Sequence, residues 1–249
     1  MCVLLYMFMK YNIVTIDPSL ISTALVVSSG DTFKMYNYCR ESSAFGKKGI
    51  TKWFGLAEQY ITYKFIEYRP FKDYSEGELV KLKDYDKISD DIIKDIKENI
   101  DSSKPTKIGI EGYSFSSTAG DIIDLVTFST ILRKKLFDLI SEDITVLSPS
   151  TLKLESCKLT YTPILKEMGK KKITIKEEYR NKIGISGGKF TKSEMFMAIV
   201  ENEVWEDYWT KHCKLSQKDI LGIAKIPKPY EDVNDAFLIY KYLEKQNPS

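Results

Sequence analysis

Four carboxylates in this sequence stand where secondary structure is expected to begin or end. Asp17 and Glu111 each follow a short apolar run, and Asp232 and Asp235 open the last segment with helical apolar spacing. Carboxylate oxygens are the donors that Mg²⁺ and Mn²⁺ prefer in proteins. If the fold brings these four side chains together, they would form a site for divalent cations.

Such a site suits phosphodiester hydrolysis, which needs an activated water and stabilisation of charge on the attacked phosphate and the leaving oxygen. Two divalent ions about 3.5–4 Å apart supply both. Rigid strand ends hold carboxylates well, and Asp232 and Asp235, three residues apart, share one face of a helix. Their place in the first turn also lets the helix dipole stabilise the ionised forms. The pattern therefore predicts a nuclease with two Mg²⁺ or Mn²⁺ ions per active site.

Each acid alone has an ordinary alternative explanation. An Asp after a strand is commonly a turn residue, and Asp-x-x-Asp at a helix start is commonly an N-cap. The order of all four favours a catalytic site. One acid follows the first strand and another the fourth; a helix and a fifth strand intervene, and the paired acids stand on the terminal helix.

The segments that position these acids predict an α/β domain. Short β-branched runs predict three strands in a meander, and a strand–helix–strand series with short connections predicts a βαβ unit with parallel strands. A terminal helix follows. In chain order the predicted elements are strands Asn12–Ile16, Ser22–Ser28, Thr32–Tyr38 and Lys107–Glu111, helix Ala119–Ile140, strand Ile144–Leu147 and helix Glu231–Leu243.

Other segments give weaker patterns. Helical spacing predicts helices at Thr51–Tyr63 and Ser193–Val204. Residues 64–88 are expected to be irregular, and a surface helix capped by Ser89 is predicted to run to Ile100.

Composition is that of an ordinary globular protein. Of 249 residues, 43% are hydrophobic and 29% charged, and the formal net charge of +2 does not itself indicate nucleic-acid binding. Four cysteines without a C-x-x-C pair argue against disulfides and a zinc site. The single histidine, His212, is interpreted as a surface residue. No apolar run is long enough to span a membrane.

Residues 153–192 depart from this balance. They contain eleven Lys or Arg against four Glu, a net charge of +7. Such a segment suits contacts with a DNA or RNA backbone, although Lys-rich segments are also common as solvated surface. Shortly after the second acid, Tyr113 and Phe115 are candidates either for stacking on an unpaired base or for the core. The run proposed to contact phosphates is Lys170, Lys171 and Lys172.

Five short blocks, in family order, resemble RuvC-like Holliday-junction resolvases, most closely their phage and viral branch. The blocks are Ile16–Ser19, Ile110–Phe115, Ser148–Lys153, Gly188–Ser193 and Asp232–Ala236. The resemblance implies an RNase H-like fold of the retroviral-integrase type, with a mixed five-stranded sheet flanked by helices. It implies a single domain over residues 1–249 with insertions at about 41–105, 154–186 and 205–228.

The resemblance also implies an activity. It implies a metal-dependent endonuclease, a hydrolase of DNA recombination and repair that resolves Holliday junctions and other branched DNA by paired nicks. Asp17, Glu111, Asp232 and Asp235 match the catalytic, metal-binding acids. Lys192 matches the basic catalytic position that contacts the cleaved strand.

Further matches concern DNA and assembly. Lys189 is a second match to the basic position, and Phe115 or Tyr113 matches an aromatic that wedges into the junction. The family forms homodimers, and helix 119–140 would be the dimer helix. A cytoplasmic location is expected, in the host cell if the protein is phage-encoded.

Two other functions stay open: an RNase H-like nuclease that cuts RNA–DNA hybrids, and a junction-binding protein without catalytic activity. A proofreading exonuclease is less favoured because Asp17-Pro18-Ser19 lacks a second acid two residues on. A sugar-kinase or actin-like ATPase is disfavoured because no glycine-rich phosphate loop follows Asp17.

Overall fold

The computed structural model divides the chain into two compact units, one of Met1–Pro149 with Lys228–Ser249 and one of Ser150–Pro227. All the labelled elements below belong to the first unit, and residues 150–156 of the second are helical. A single domain over residues 1–249 stays a prediction. The structure describes residues 11–41, 55, 57–58, 60–113, 119–156, 192, 195–196 and 229–246.

The described residues form a six-stranded mixed sheet. Its strands are β1 (Asn12–Asp17), β2 (Ser22–Ser29), β3 (Thr32–Cys39), β4 (Ile61–Phe65), β5 (Thr106–Glu111) and β6 (Ile144–Leu147). The order is β4-β3-β2-β1-β5-β6. β2 is antiparallel to β1 and β3, whereas the pairs β1–β5, β5–β6 and β3–β4 are parallel. The strands β3-β2-β1-β5-β6 form an RNase H-like sheet, which confirms the predicted fold class, meander and βαβ unit.

In the described part of the chain, three helices cover the two faces of this sheet. They are α1 (Tyr74–Asn99), α2 (Ala119–Leu139) and α3 (Tyr230–Gln246). Within the described ranges, no helix is long and apolar enough to cross a bilayer. Helices α1 and α2 pack over one face of the sheet. The core between these helices and the sheet consists of Val14, Ile16, Leu25, Val27, Tyr36, Tyr38, Ile108 and Ile110 from strands, Tyr85, Ile88, Ile92, Ile93 and Ile96 from α1, and Phe128, Leu132 and Leu136 from α2.

Helix α1 is longer than the sequence pattern indicates. Its N-cap is Asp73, whose carboxylate accepts a hydrogen bond from the backbone N of Glu76 at 2.9 Å. Ser89 is therefore inside the helix, where its hydroxyl donates to the carbonyl of Tyr85 at 2.7 Å. The prediction that 64–88 is irregular was wrong for most of that range. Exposed leucines in the first half of α1 interrupt the amphipathic spacing that marks its second half.

The sixth strand corrects a second prediction. Residues 61–63 were assigned to a helix at Thr51–Tyr63 but belong to β4, because they pair with Met35–Asn37. Gly55 and Ala57 are helical, and the rest of 51–56 lies outside the described residues. Of the helix predicted at Ser193–Val204, only positions 195 and 196 are described, and both are helical.

The buried carboxylate of Asp95 in α1 accepts hydrogen bonds from side chains of β3 and β4. Tyr38 Oη donates to Asp95 Oδ2 at 2.7 Å, and Lys64 Nζ donates to Asp95 Oδ1 at 3.0 Å. Burial raises the pKa of the Tyr38 hydroxyl far above its ordinary value, and the hydrogen bond to Asp95 raises it further. The hydroxyl is therefore protonated and donates to Asp95 at neutral pH.

Tyr38→Phe is therefore expected to lower the free energy of unfolding by about 1–3 kcal/mol, because a buried carboxylate loses a donor. Urea denaturation measures the change. Tyr74→Phe is the matched control, since Tyr74 is 81% exposed, and its effect should stay within about 0.5 kcal/mol. Equal unfolding midpoints for Tyr38→Phe and the unmodified chain would contradict the prediction.

Candidate active site

Asp17 and Glu111 stand side by side at one edge of the sheet. β1 and β5 are parallel neighbours, and Ile16 pairs with Ile110. Each acid is the next residue on its strand, so both lie at the edge where these strands end. Asp17 is buried at 7% exposure and Glu111 is half-buried. The two predicted strand-end carboxylates are thus neighbours in the fold.

Both acids also point to the same face of the sheet. Thr15, two residues before Asp17, donates its hydroxyl to the carbonyl of Ala236 in α3 at 2.8 Å. Gly109, two residues before Glu111, lies directly beneath side chains of α3. Side chains two residues apart on a strand share a face. Asp17 and Glu111 therefore project from the face that α3 covers.

Helix α3 carries the other two carboxylates to this edge. Its second half packs on the start of β3, where the rings of Tyr240 and Phe33 are 5.4 Å apart. Its first turn lies at the start of β2, where Ser22 Oγ donates to Asp232 Oδ2 at 2.5 Å. Because β2 runs opposite to β1, the start of β2 lies at the edge where β1 ends. Asp232 and Asp235, at 5% and 2% exposure, are buried there.

All four predicted acids thus lie at one edge of the sheet, on the face that α3 covers. Their carboxylate oxygens fit Mg²⁺ or Mn²⁺ by donor type. As the side chains stand, the described part of the chain contains no group of three or more His, Cys, Asp or Glu close enough together to hold a metal ion. Like-charged carboxylates repel, so a closer approach of these side chains needs a cation between them.

Comparison with known proteins gives structural matches alone. No protein-family model and no curated protein sequence matches the chain. Among solved structures, it is similar to RuvC of T. thermophilus in complex with a Holliday junction substrate, with a TM-score of 0.46 and 9% identity over 95% of this chain and 96% of that one. A second Thermus thermophilus RuvC structure gives 0.43 and 10%, over 94% and 96%. The yeast mitochondrial Holliday junction resolvase Ydc2 gives 0.35 and 11%, over 96% and 87%.

Four residues that support the acids were not predicted from the sequence. Thr15, Ser22 and Asn37 are polar side chains inside buried strands, and Gly109 interrupts the apolar run of β5. A lone glycine in a strand commonly marks the close approach of another element, so Gly109 carried a usable signal. The partners of Thr15, Ser22 and Asn37 depend on tertiary packing, and nothing in the sequence indicated them.

Tyr113, a predicted DNA contact, lies against α2. The guanidinium carbon of Arg133 is 4.5 Å from the centre of the Tyr113 ring, and Tyr113 Oη is 3.3 Å from Thr130 Oγ1. Arg133 Nη2 also donates to the carbonyl of Glu111 at 3.2 Å. The guanidinium of Arg133 thus covers one face of the Tyr113 ring. Phe115, the alternative aromatic, lies outside the described residues.

Of the predicted basic contacts, only Lys192 is among the described residues. Lys192 is an exposed helical residue of the second compact unit. Its role, like the others, stays a prediction. Lys170, Lys171, Lys172 and Lys189 lie outside the described residues.

Proposed function

We propose that this chain is a metal-dependent, structure-selective endodeoxyribonuclease that resolves Holliday junctions and other branched DNA by paired nicks. The observation that supports the proposal is the shared edge and face of Asp17, Glu111, Asp232 and Asp235 on an RNase H-like sheet. The junction as substrate comes from the resemblance of the five sequence blocks. The phage and viral branch and a cytoplasmic location are further predictions of that resemblance.

In this proposal the four carboxylates hold two Mg²⁺ or Mn²⁺ ions, which when bound activate water and stabilise the leaving oxygen. The chain's own part is to hold the donors rigidly. Backbone pairing fixes Asp17 and Glu111 on neighbouring strands. The hydrogen bond from Ser22 fixes Asp232.

Contacts with DNA would come from the lysines. Lys192 and Lys189 would contact the cleaved strand, and the positively charged segment with Lys170–Lys172 would bind backbone phosphates. Tyr113 or Phe115 would stack on an unpaired base. Several apolar side chains on α2 are exposed, which suits the predicted homodimer, whose two-fold symmetry would match paired nicks on a four-way junction. These side chains are Ile123, Phe137 and Leu139.

The proposal predicts metal-dependent cleavage of a synthetic four-way junction by the purified full chain. Junction, linear duplex and RNA–DNA hybrid of matched sequence are incubated with Mg²⁺ and with EDTA. Paired nicks are expected in the junction when Mg²⁺ is present and not when EDTA is present. Degradation of the hybrid with an intact junction would instead identify the RNA-strand nuclease. Tight junction binding without cleavage in any metal would favour a non-catalytic binding protein.

A further inference from the structure

A hydrogen-bonded pair of polar side chains lies behind one of the four carboxylates. Ser22, at the start of β2, is 2% exposed, and Asn37, on the neighbouring strand β3, is fully buried. Ser22 Oγ lies 2.5 Å from Asp232 Oδ2, and Asn37 Nδ2 donates to Ser22 Oγ at 3.0 Å. Buried polar groups cost free energy unless they are hydrogen-bonded. This pair therefore depends on the geometry of both strands and of α3.

The direction of the hydrogen bonds follows from the number of hydrogens. A serine hydroxyl has one hydrogen to donate and can also accept. Its two possible acceptors are Asp232 Oδ2 at 2.5 Å and Asn37 Oδ1 at 3.2 Å. Hydrogen bonds to a carboxylate are shorter and stronger than neutral ones, so the hydrogen points to Asp232. The chain of donation runs from Asn37 to Ser22 to Asp232.

We propose that Ser22 and Asn37 are positioning residues that fix the carboxylate of Asp232 for binding a divalent cation. The inference rests on the proposed function. A carboxylate on a helix rotates about two side-chain bonds, and freezing that rotation before the ligand arrives lowers the cost of binding. Partners behind metal ligands typically change metal affinity by about 10- to 100-fold. Neither residue needs to touch the ion itself.

The opposite end of β2 offers a matched control. Ser29 Oγ donates to Asn12 Oδ1 at 2.6 Å, so the same strand carries a second buried Ser–Asn pair. That pair lies at the far edge of the sheet, away from the four carboxylates. Ser29→Ala should therefore match Ser22→Ala in lost stability but not in any effect on cation binding.

The test is a Mn²⁺ titration of the full chain, followed by the electron paramagnetic resonance signal of free Mn²⁺. Ser22→Ala is expected to weaken Mn²⁺ binding by about 10-fold or more. Ser22→Thr, which keeps the hydroxyl, should restore most of the affinity, and Ser29→Ala should leave it unchanged. Asn37→Ala, acting through Ser22, should give a smaller loss and tests the relay even if Ser22→Ala does not fold.

Each outcome separates the two proposals. If the unmodified chain binds no Mn²⁺, the proposed function fails. If it binds Mn²⁺ but Ser22→Ala and Asn37→Ala bind equally well, only the positioning role fails. Equal weakening by Ser22→Ala and Ser29→Ala would attribute the effect to stability and would also overturn the positioning role.

Discussion

Asp17→Asn is expected to slow cleavage of a four-way junction by about 10³-fold or more, equivalent to about 4 kcal/mol of lost transition-state stabilisation. Asp17 ends the central strand and is the neighbour of Glu111 across the parallel pair β1–β5. Asn keeps the shape of the side chain but removes its negative charge, which weakens cation binding. Single-turnover cleavage rates at saturating protein measure the change, and junction binding is expected to persist.

A control must separate loss of charge at the site from loss of a buried carboxylate in general. Asp84 is 4% exposed and accepts hydrogen bonds from Arg69, on the face of the sheet opposite α3. Asp84→Asn is expected to cost stability with little change in cleavage rate. Because residues that act as a unit are not additive, Asp17→Asn with Glu111→Gln should be about as slow as Asp17→Asn alone. Wild-type cleavage by Asp17→Asn would remove the basis of the proposed function.

Gly109→Ala is expected to destabilise the protein by about 1–3 kcal/mol or more. A Cβ at Gly109 would overlap with Ile239 Cγ2, and would lie 3.0 Å from Leu243 Cδ1 and 3.3 Å from Thr15 Cγ2. The side chains of Ile239 and Leu243 would have to shift, and because both belong to α3 we expect the helix to move away from β5. The same displacement would move Asp232 relative to the strand-end acids, so Mn²⁺ affinity should also fall. Urea denaturation and the Mn²⁺ titration measure the two effects.

The control for this glycine is Gly55→Ala, at a helical position where an added Cβ meets no atom within 4 Å. Alanine is the better helix former by about 1 kcal/mol, so this change should be neutral or stabilising. Shortening the opposing side chain, as in Gly109→Ala with Ile239→Ala, should recover part of the lost Mn²⁺ affinity. Full stability of Gly109→Ala alone would contradict the close packing of α3 on β5.

The sequence predicted those elements whose pattern is local. β6 was predicted at its observed bounds, and the other strands of the RNase H-like sheet to within one residue. Their β-branched runs and the Pro and Ser residues between them are readable without knowledge of partners. β4 and the first half of α1 were missed. The strand depends on pairing with β3, and the helix exposes apolar residues that local periodicity places inside.

The site divides in the same way. That Asp17 and Glu111 end strands, and that Asp232 and Asp235 open a helix, is set by neighbouring residues and was determined by the sequence alone. Their common edge and face, and the support of Asp232 by Ser22, 210 residues away in the chain, were decided by the tertiary structure. Strand register and helix docking arise from contacts between distant segments, and a one-residue shift in register would turn each strand-end acid to the opposite face.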